Sequence, residues 1–396
     1  MVVVAFRAST HEFGRRQFSG AFRFARQAGW DVVTVEYGTK MTSRFPAFEV
    51  KTPRDVRRVL EFLHPAGCLV ESDNTDHPIV PEVFDGFPVV FLDRHPETVG
   101  KRHSCVFSDA GEIAASAARE LASLGLANYA CLSYQGHEIW SRERADAFEN
   151  AVKRFAGSYS SFGHQGLRIR DVSDLRAKTG QWIATLPKPC GLFVVNDYLA
   201  EIALSVAKGR GISVPEDLAI VGVDDDEQIC EAADPTLSSI RQDFERGGYL
   251  AAELLSRLMD NHRLRGLRAT FGVSRVVRRA STRRFRGMDA RVATALEFIR
   301  LHACEGAEPP DVVSAMGCSR RLADLRFREA LGHTILDEIH AVRLSRVKEL
   351  LLDPSHDIAS IPDFCGYASM DDLRRVFRRH FGMTLRAFAK QRAGLP

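Results

Sequence analysis

Three side chains with hydrogen-bonding capacity stand at or just after the ends of apolar runs. Asp93 closes PVVFLD, Asn196 follows LFVV, and Asp224 closes LAIVGVD. In open α/β sheets, ligands gather beyond the carboxyl ends of the strands. A carboxylate there accepts two hydrogen bonds from adjacent hydroxyls, whereas Arg144 and Gln242 can donate. Trp140 offers an aromatic surface for an apolar C–H face. Such a set suits a small neutral polyhydroxylated molecule. Other readings of these residues remain open. Asp197 serves equally as a helix N-cap, Asp225 as a capping or packing group, and Trp140 as core. The run Asp224–Asp226 invites a metal, but successive residues of an extended segment point to opposite sides; no metal and no cofactor are expected. Arg15 and Arg16, after Gly14 at the first strand–helix turn, either close the site or are solvated.

A second constellation is basic and repeated. DVVSAMGCSRRLADLRFREALGHT starts at Asp311, and DIASIPDFCGYASMDDLRRVFRRHFGMT starts at Asp357. In each, a short helix ends at a glycine (Gly317, Gly366), and a serine-capped helix follows (Ser319, Ser369), ending at Gly332 or Gly382. Helix, glycine turn and second helix is the geometry that lays a helix into the DNA major groove. The first such helix presents Arg320, Arg321, Asp324 and Arg328 outward, with Ala323, Phe327 and Leu331 facing inward. The second presents Asp371, Arg374, Arg375 and Arg378, with Leu373, Phe377 and Phe381 inward. A single arginine-bearing helix reads as solvated surface, but two with matching caps and turns point to DNA. Asp372 has capping-box spacing from Ser369. Asp371 either accepts from a cytosine amino group or marks a weak reader, and Pro362 in the preceding helix points to a loosened second unit.

These residues need elements to hold them. From residue 1 to about 275, apolar runs (VVVAF, WDVVTVEY, AGCLV, PVVFLD, YACLSY, CGLFVV, LAIVGVD) alternate with amphipathic stretches at Gly20–Gln27, Pro53–Leu63, Ile113–Leu124, Glu143–Phe155 and Leu199–Lys208. That alternation predicts parallel sheets covered by helices, in two α/β lobes. The texture changes at Arg275, Arg278, Arg279, Arg283, Arg284 and Arg286, a stretch without acids. Beyond it the pattern predicts an all-α domain of six or seven helices, capped at Asp289, Ser319, Thr334 (boxed with Asp337), Asp357, Ser369 and Thr384. The expected domains are 1–283 and 286–396.

Composition narrows the function. The 396 residues carry a net charge of +3, so any nucleic-acid affinity comes from local clustering. Eight cysteines form no CxxC pair, and reduced, buried thiols in the cytoplasm are expected. The start MVVVAFRAS lacks the basic flank and apolar length of a secretory signal, and no membrane partner is expected. No GxSxG elbow, GxxxxGK[ST] loop or GxGxxG fingerprint suggests an enzyme, although paired carboxylates leave a sugar-processing enzyme as an alternative.

Residues 289–390 resemble the AraC-type DNA-binding domain, on CSRRLADLRFREALGHT, AVRLSRVKELL and FCGYASMDDLRRVFRRHFGMT. The family's closing Gly-x-Thr-Pro and Tyr-Arg are replaced here by GMTLRAFAK. Residues 1–275 resemble the LacI-type, periplasmic-binding-protein-like sensor, on PVVFLDR, WSRERADAF, LFVVNDYLA, VPEDLAIVGVDDDE and LSSIRQDFERGGYLAAELL. A LacI-type sensor followed by an AraC-type reader is similar to the xylose-operon, XylR-type, regulators. GRRQFSGAFRFARQAGW and VVRRAST resemble that group too. The resemblance implies an activator of sugar-catabolic genes and a double-stranded operator as partner. It also implies a pentose such as D-xylose as inducer, a homodimer and a contact with RNA polymerase. A regulator whose sensor has lost its sugar is the remaining alternative.

Overall fold

A computed structural model describes residues 1–7, 12–37, 50–71, 79–135, 138–165, 172–283, 289–352 and 358–388. Arg284, Arg286 and Asp357, singled out above, lie outside the described residues. The chain divides into two compact units, Met1–Arg284 and Phe285–Pro396.

The strands of the first unit are β1 (Val2–Arg7), β2 (Asp31–Glu36), β3 (Gly67–Glu71), β4 (Val89–Leu92), β5 (Ser104–Ser108), β6 (Asn128–Gln135), β7 (Ser158–Gln165), β8 (Cys190–Val194), β9 (Leu218–Val223), β10 (Ser238–Gln242), β11 (Arg268–Phe271) and β12 (Val273–Val277). Its helices are α1 (Glu12–Gln27), α2 (Pro53–Leu63), α3 (Pro96–Val99), α4 (Ala110–Ala122), α5 (Ile139–Val152), α6 (Val172–Thr185), α7 (Asp197–Gly209), α8 (Glu227–Ala232) and α9 (Phe244–Asp260).

Two six-stranded sheets result. The first runs β11-β5-β4-β3-β1-β2 and is parallel throughout. The second runs β12-β10-β9-β8-β6-β7, parallel except for the β12 edge. Every residue of β3, β8 and β9 is buried. That explains their unbroken apolar sequences, because a parallel sheet covered on both faces gains nothing from alternation. In the first lobe α1 lies against α9, and glycines bring their backbones together. A β-carbon on Gly20 would meet the Glu245 carbonyl oxygen at 1.9 Å, and one on Gly248 that of Gln17 at 1.7 Å. The chain crosses between lobes three times, after β5, after β10 and between β11 and β12.

The second unit holds α10 (Ala290–His302), α11 (Pro309–Ala315), α12 (Arg320–Leu331), α13 (Ile335–Leu352), α14 (Ile361–Phe364) and α15 (Met370–Phe381), with a further helical turn over 385–388. The caps at Asp289, Ser319, Thr334–Asp337, Ser369 and Thr384 all form. Its interior has two cores strung on α13. Ile335 and Ile339 join Val292, Ile299, Ala323 and Phe327, whereas Leu344, Val347 and Leu350 join Ile361, Leu373 and Phe377. Arg343, on α13 between them, is 2% exposed. Its guanidinium donates to the carbonyls of Ala303 (2.8 Å) and Ala307 (2.9 Å) and lies 5.5 Å from the Tyr367 ring.

Candidate functional site

The strand ends do converge. Asp93 follows β4, Asn196 comes two residues after β8, Asp224 follows β9, and Trp140 and Arg144 lie on α5. All five line one interlobe cleft enclosing about 240 Å³, together with Phe13, Phe107, Ser108, Glu143 and Phe244. The volume is below the roughly 300–1,000 Å³ usual for drug-sized ligands, which suits one small molecule.

Arg144 organises the floor. It is 4% exposed, and its Nη1 donates to the Val195 carbonyl (2.8 Å) and lies 3.8 Å from Asp224 Oδ1. Its guanidinium carbon sits 5.0 Å from the Trp140 ring. The indole Nε1 donates to Glu138 (3.0 Å), leaving the ring on the cleft wall. Asn196 is the N-cap of α7, accepting from the Leu199 amide at 3.0 Å.

Burial lifts the Asp224 carboxyl to about 7, with Arg144 pulling it down and Asp93 pushing it up. Asp93 is raised too, by burial first, against the pull of Arg144. Raised to about 7 by burial and by Asp93 against the pull of Arg144, the Asp224 carboxyl can both accept from and donate to hydroxyls near neutrality. Asp93 and Asp224 are also left-handed at φ +49° and +106°, a costly backbone state for residues with a β-carbon that gathers at functional sites.

Contacts among the described residues span the lobes. His95 Nε2 meets Glu143 Oε1 at 2.9 Å, the Glu227 amide donates to Glu12 at 3.4 Å, and Arg144 Nη2 donates to Ser108 Oγ at 3.4 Å.

The sequence expectation for Gln242 changes, and the alternatives left open at Asp197 and Asp225 are decided. Gln242 is not on the cleft wall. It is 3% exposed, and its amide nitrogen donates to Asp224 Oδ1 at 2.6 Å, so its donor is already engaged behind the carboxylate. The cap of α7 is Asn196, not Asp197. Asp197 is buried, accepting from the Asp226 amide (2.9 Å) and the Ser239 hydroxyl (2.6 Å). Asp225 is a packing group, paired with Arg279 and Arg241, and Asp226 caps α8. No metal cluster forms among the described residues. Arg16 pairs with Glu12, and neither Arg15 nor Arg16 lines the cleft. Phe13, Phe107, Phe244 and the His95–Glu143 pair escaped sequence reasoning. The only available signal for Phe244 was its place two residues after Gln242, at a crossover.

On the second unit, Arg320, Arg321 and Arg328 are exposed along α12, with Asp324 half-buried and bonded to Arg320 at 2.9 Å. On α15, Asp371 accepts from Arg374 at 3.0 Å, and Asp372 pairs with Arg375. Ser369 caps the Asp372 amide at 3.2 Å, but the Asp372 carboxylate turns to Arg375, so only half of the expected box forms. Arg374 and Arg378 share a groove with Met370, Thr384 and Arg386; Arg386 is a basic neighbour the sequence reading missed. Pro362 does not loosen the unit. It lies in the first turn of α14, where no amide is needed, and its carbonyl accepts from Cys365 (3.2 Å) and Tyr367 (3.0 Å).

Comparison with known proteins agrees with this geometry. A periplasmic binding protein-like domain matches residues 118–282, and a helix-turn-helix domain matches residues 312–391. The Xylose operon regulatory protein of Escherichia coli K12 is 34% identical over 247 residues, a match spanning 62% of this chain and 62% of that relative. The Haemophilus influenzae protein of the same name is 28% identical over 316 residues, 79% of this chain and 80% of its own length. A solved structure of the xylose-binding transcription activator xylR is 25% identical, with a TM-score of 0.58, covering 98% of this chain and 97% of that one. The chain joins a periplasmic binding protein-like domain to a C-terminal AraC-type helix-turn-helix domain, the two-part build of the XylR-type regulators.

Proposed function

We propose that the chain is a transcription regulator controlled by a neutral sugar, D-xylose or another pentose, bound in the cleft of residues 1–283. Residues 286–396 read operator DNA. The observation that carries this reading is the meeting of Asp93, Trp140, Arg144, Asn196 and Asp224, from separate elements, in one small cleft. Asp93 and Asp224 accept from sugar hydroxyls, Arg144 and Asn196 donate, and Trp140 covers the C–H face. Gln242 acts by holding Asp224. Arg320, Arg321, Asp324 and Arg328 face the groove from α12, and Asp371, Arg374, Arg375 and Arg378 from α15. The protein works in the cytoplasm as a homodimer, contacts RNA polymerase, and activates sugar-catabolic genes rather than catalysing a reaction. Sugar closes the lobes and shifts the population toward one DNA-binding state.

Calorimetry with a panel of pentoses tests this, alongside operator binding with and without sugar. Saturable pentose binding that changes operator affinity, and its weakening by about 10–100-fold in Asp224→Ala with folding intact, is the expected result. Operator binding indifferent to every pentose identifies a regulator that has lost its sugar. Consumption of the bound sugar identifies an enzyme.

A further inference from the structure

The turn that delivers Asp224 to the cleft is left-handed at two consecutive residues, Asp224 at φ +106° and Asp225 at φ +54°. Such a backbone persists only where its surroundings over-determine it. Asp225, fully buried, supplies those surroundings. Its Oδ1 accepts from Arg279 Nη1 at 2.7 Å, its Oδ2 from Arg241 Nε at 2.5 Å, and its amide donates to Ser239 Oγ at 3.0 Å. Arg279 in turn donates to Glu231 Oε1 (2.6 Å) and to the Leu237 carbonyl (3.0 Å).

Arg279 belongs to no strand. It lies two residues beyond β12, on the strap through which the chain leaves the sensor. The strap is seated along its length. Ser281 Oγ donates to the Ile220 carbonyl of β9 at 2.6 Å, and Thr282 Oγ1 to Glu120 at 3.2 Å; Arg278 Nε reaches Glu120 at 2.7 Å. Strand β10 connects the two ends of this arrangement. Its Ser238 amide donates to Ser281 Oγ at 2.8 Å, its Arg241 holds Asp225, and its Gln242 holds Asp224.

From this we infer that Arg279 is a positioning residue for the cleft. Through Asp225 it holds the left-handed turn that presents Asp224, so ligand binding and seating of the exit strap share one equilibrium. The inference rests on the reading of the cleft as a sugar site. Lysine in its place keeps the charge, but one ammonium cannot reach Asp225, Glu231 and the Leu237 carbonyl in the same fixed fork. The coupling is reciprocal. A ligand drawing on Asp224 firms the strap that precedes the DNA-binding domain, and unseating the strap loosens Asp224.

The test uses the full chain carrying Arg279→Lys. Hydrogen exchange of the amides over 222–228, without ligand, is expected to quicken at least tenfold, while strand 190–194 keeps its protection. D-xylose, titrated calorimetrically, is expected to bind about tenfold more weakly. Wild-type exchange over 222–228 overturns the inference. Should the wild-type chain bind no pentose, the sugar reading fails on its own, and the exchange result still decides whether Arg279 holds the turn. Should Arg279→Lys fail to fold, Glu231→Gln takes its place, since that side chain is part-exposed. About threefold faster exchange over the same residues supports the inference, and unchanged exchange overturns it.

Discussion

In the sensor, Asp225 is fully buried between Arg279 and Arg241, whereas on α15 the side chains of Asp371 and Arg374 remain 91% and 64% exposed. The same two residue types meet at similar distances with different consequences. A buried pair has surrendered its hydration and depends on every hydrogen bond it makes, so losing one partner strands the other. An exposed pair is screened and contributes little, which leaves its members free to exchange one another for a phosphate. The first unit therefore uses charge for direction, and on the function proposed above the second uses it as a field.

The sharpest way to break this contrast is Asp225→Ala. Removing that carboxylate takes the shared acceptor from two guanidinium groups, one of them buried and left with Glu231 and the Leu237 carbonyl, and is expected to destabilise the sensor by about 3–5 kcal/mol. Urea unfolding measures it; a cost within about 0.5 kcal/mol, the ordinary surface value, erases the distinction. Next comes Arg321→Ala on α12. It is expected to weaken operator binding by about 1–3 kcal/mol if the guanidinium reads a base edge, without a change in thermal stability. An equal loss on random DNA makes Arg321 a phosphate contact instead.

Smaller effects sharpen the contrast. Asp371→Asn releases Arg374 and is expected to raise affinity for operator and random duplexes alike, by under about 1 kcal/mol. Loss confined to operators with one particular cytosine shows that Asp371 reads a base. A pH effect in the sensor probes the same burial through its titration. Asp224 titrates near 7 in the folded protein, well above its ordinary 3.8. Its stabilising contribution is therefore complete below about pH 4 and is lost as pH rises through 7. Asp224→Asn should flatten the decline of the unfolding temperature across that window only in part, because Asp93 and Asp197 are raised as well. An identical slope in the variant contradicts the assignment.

Much of this was legible in the chain. The strands β1, β3, β4, β6, β8 and β9 announced themselves as apolar runs because burial on both faces demands it, and the edge strand β2 did so through its valines. The reader helices announced themselves through caps and glycine turns, where local chemistry decides. Strands β5 (SCVFS), β7 (SYSSFGHQ) and β10 (SSIRQ) did not. Their serines look like loop residues, and only the fold reveals that Ser238 and Ser239 are wholly buried with partners on Arg279, Ser281 and Asp197. The cleft carboxylates were legible from their strand ends. Gln242 was assigned to the ligand because sequence cannot tell a side chain facing a cleft from one standing behind it. Phe13, Phe107 and Phe244 come from α1, β5 and the start of α9, the last only after the chain has crossed to the other lobe and returned, and such distant meetings leave no local periodicity.

The sharing of α13 between two cores has a genetic consequence. Neither helix-turn-helix unit is a removable cassette, because Leu344, Val347 and Leu350 are finished by residues that come after position 358. A stop codon between the coding segments of α13 and α14 would not yield a regulator with one reader. It would yield a chain ending in a helix whose final turns carry a bare aliphatic stripe, a substrate for chaperones and proteases. Duplication, exchange or loss of readers in such proteins must then proceed with the long helix included, so that the inheritable module is the pair.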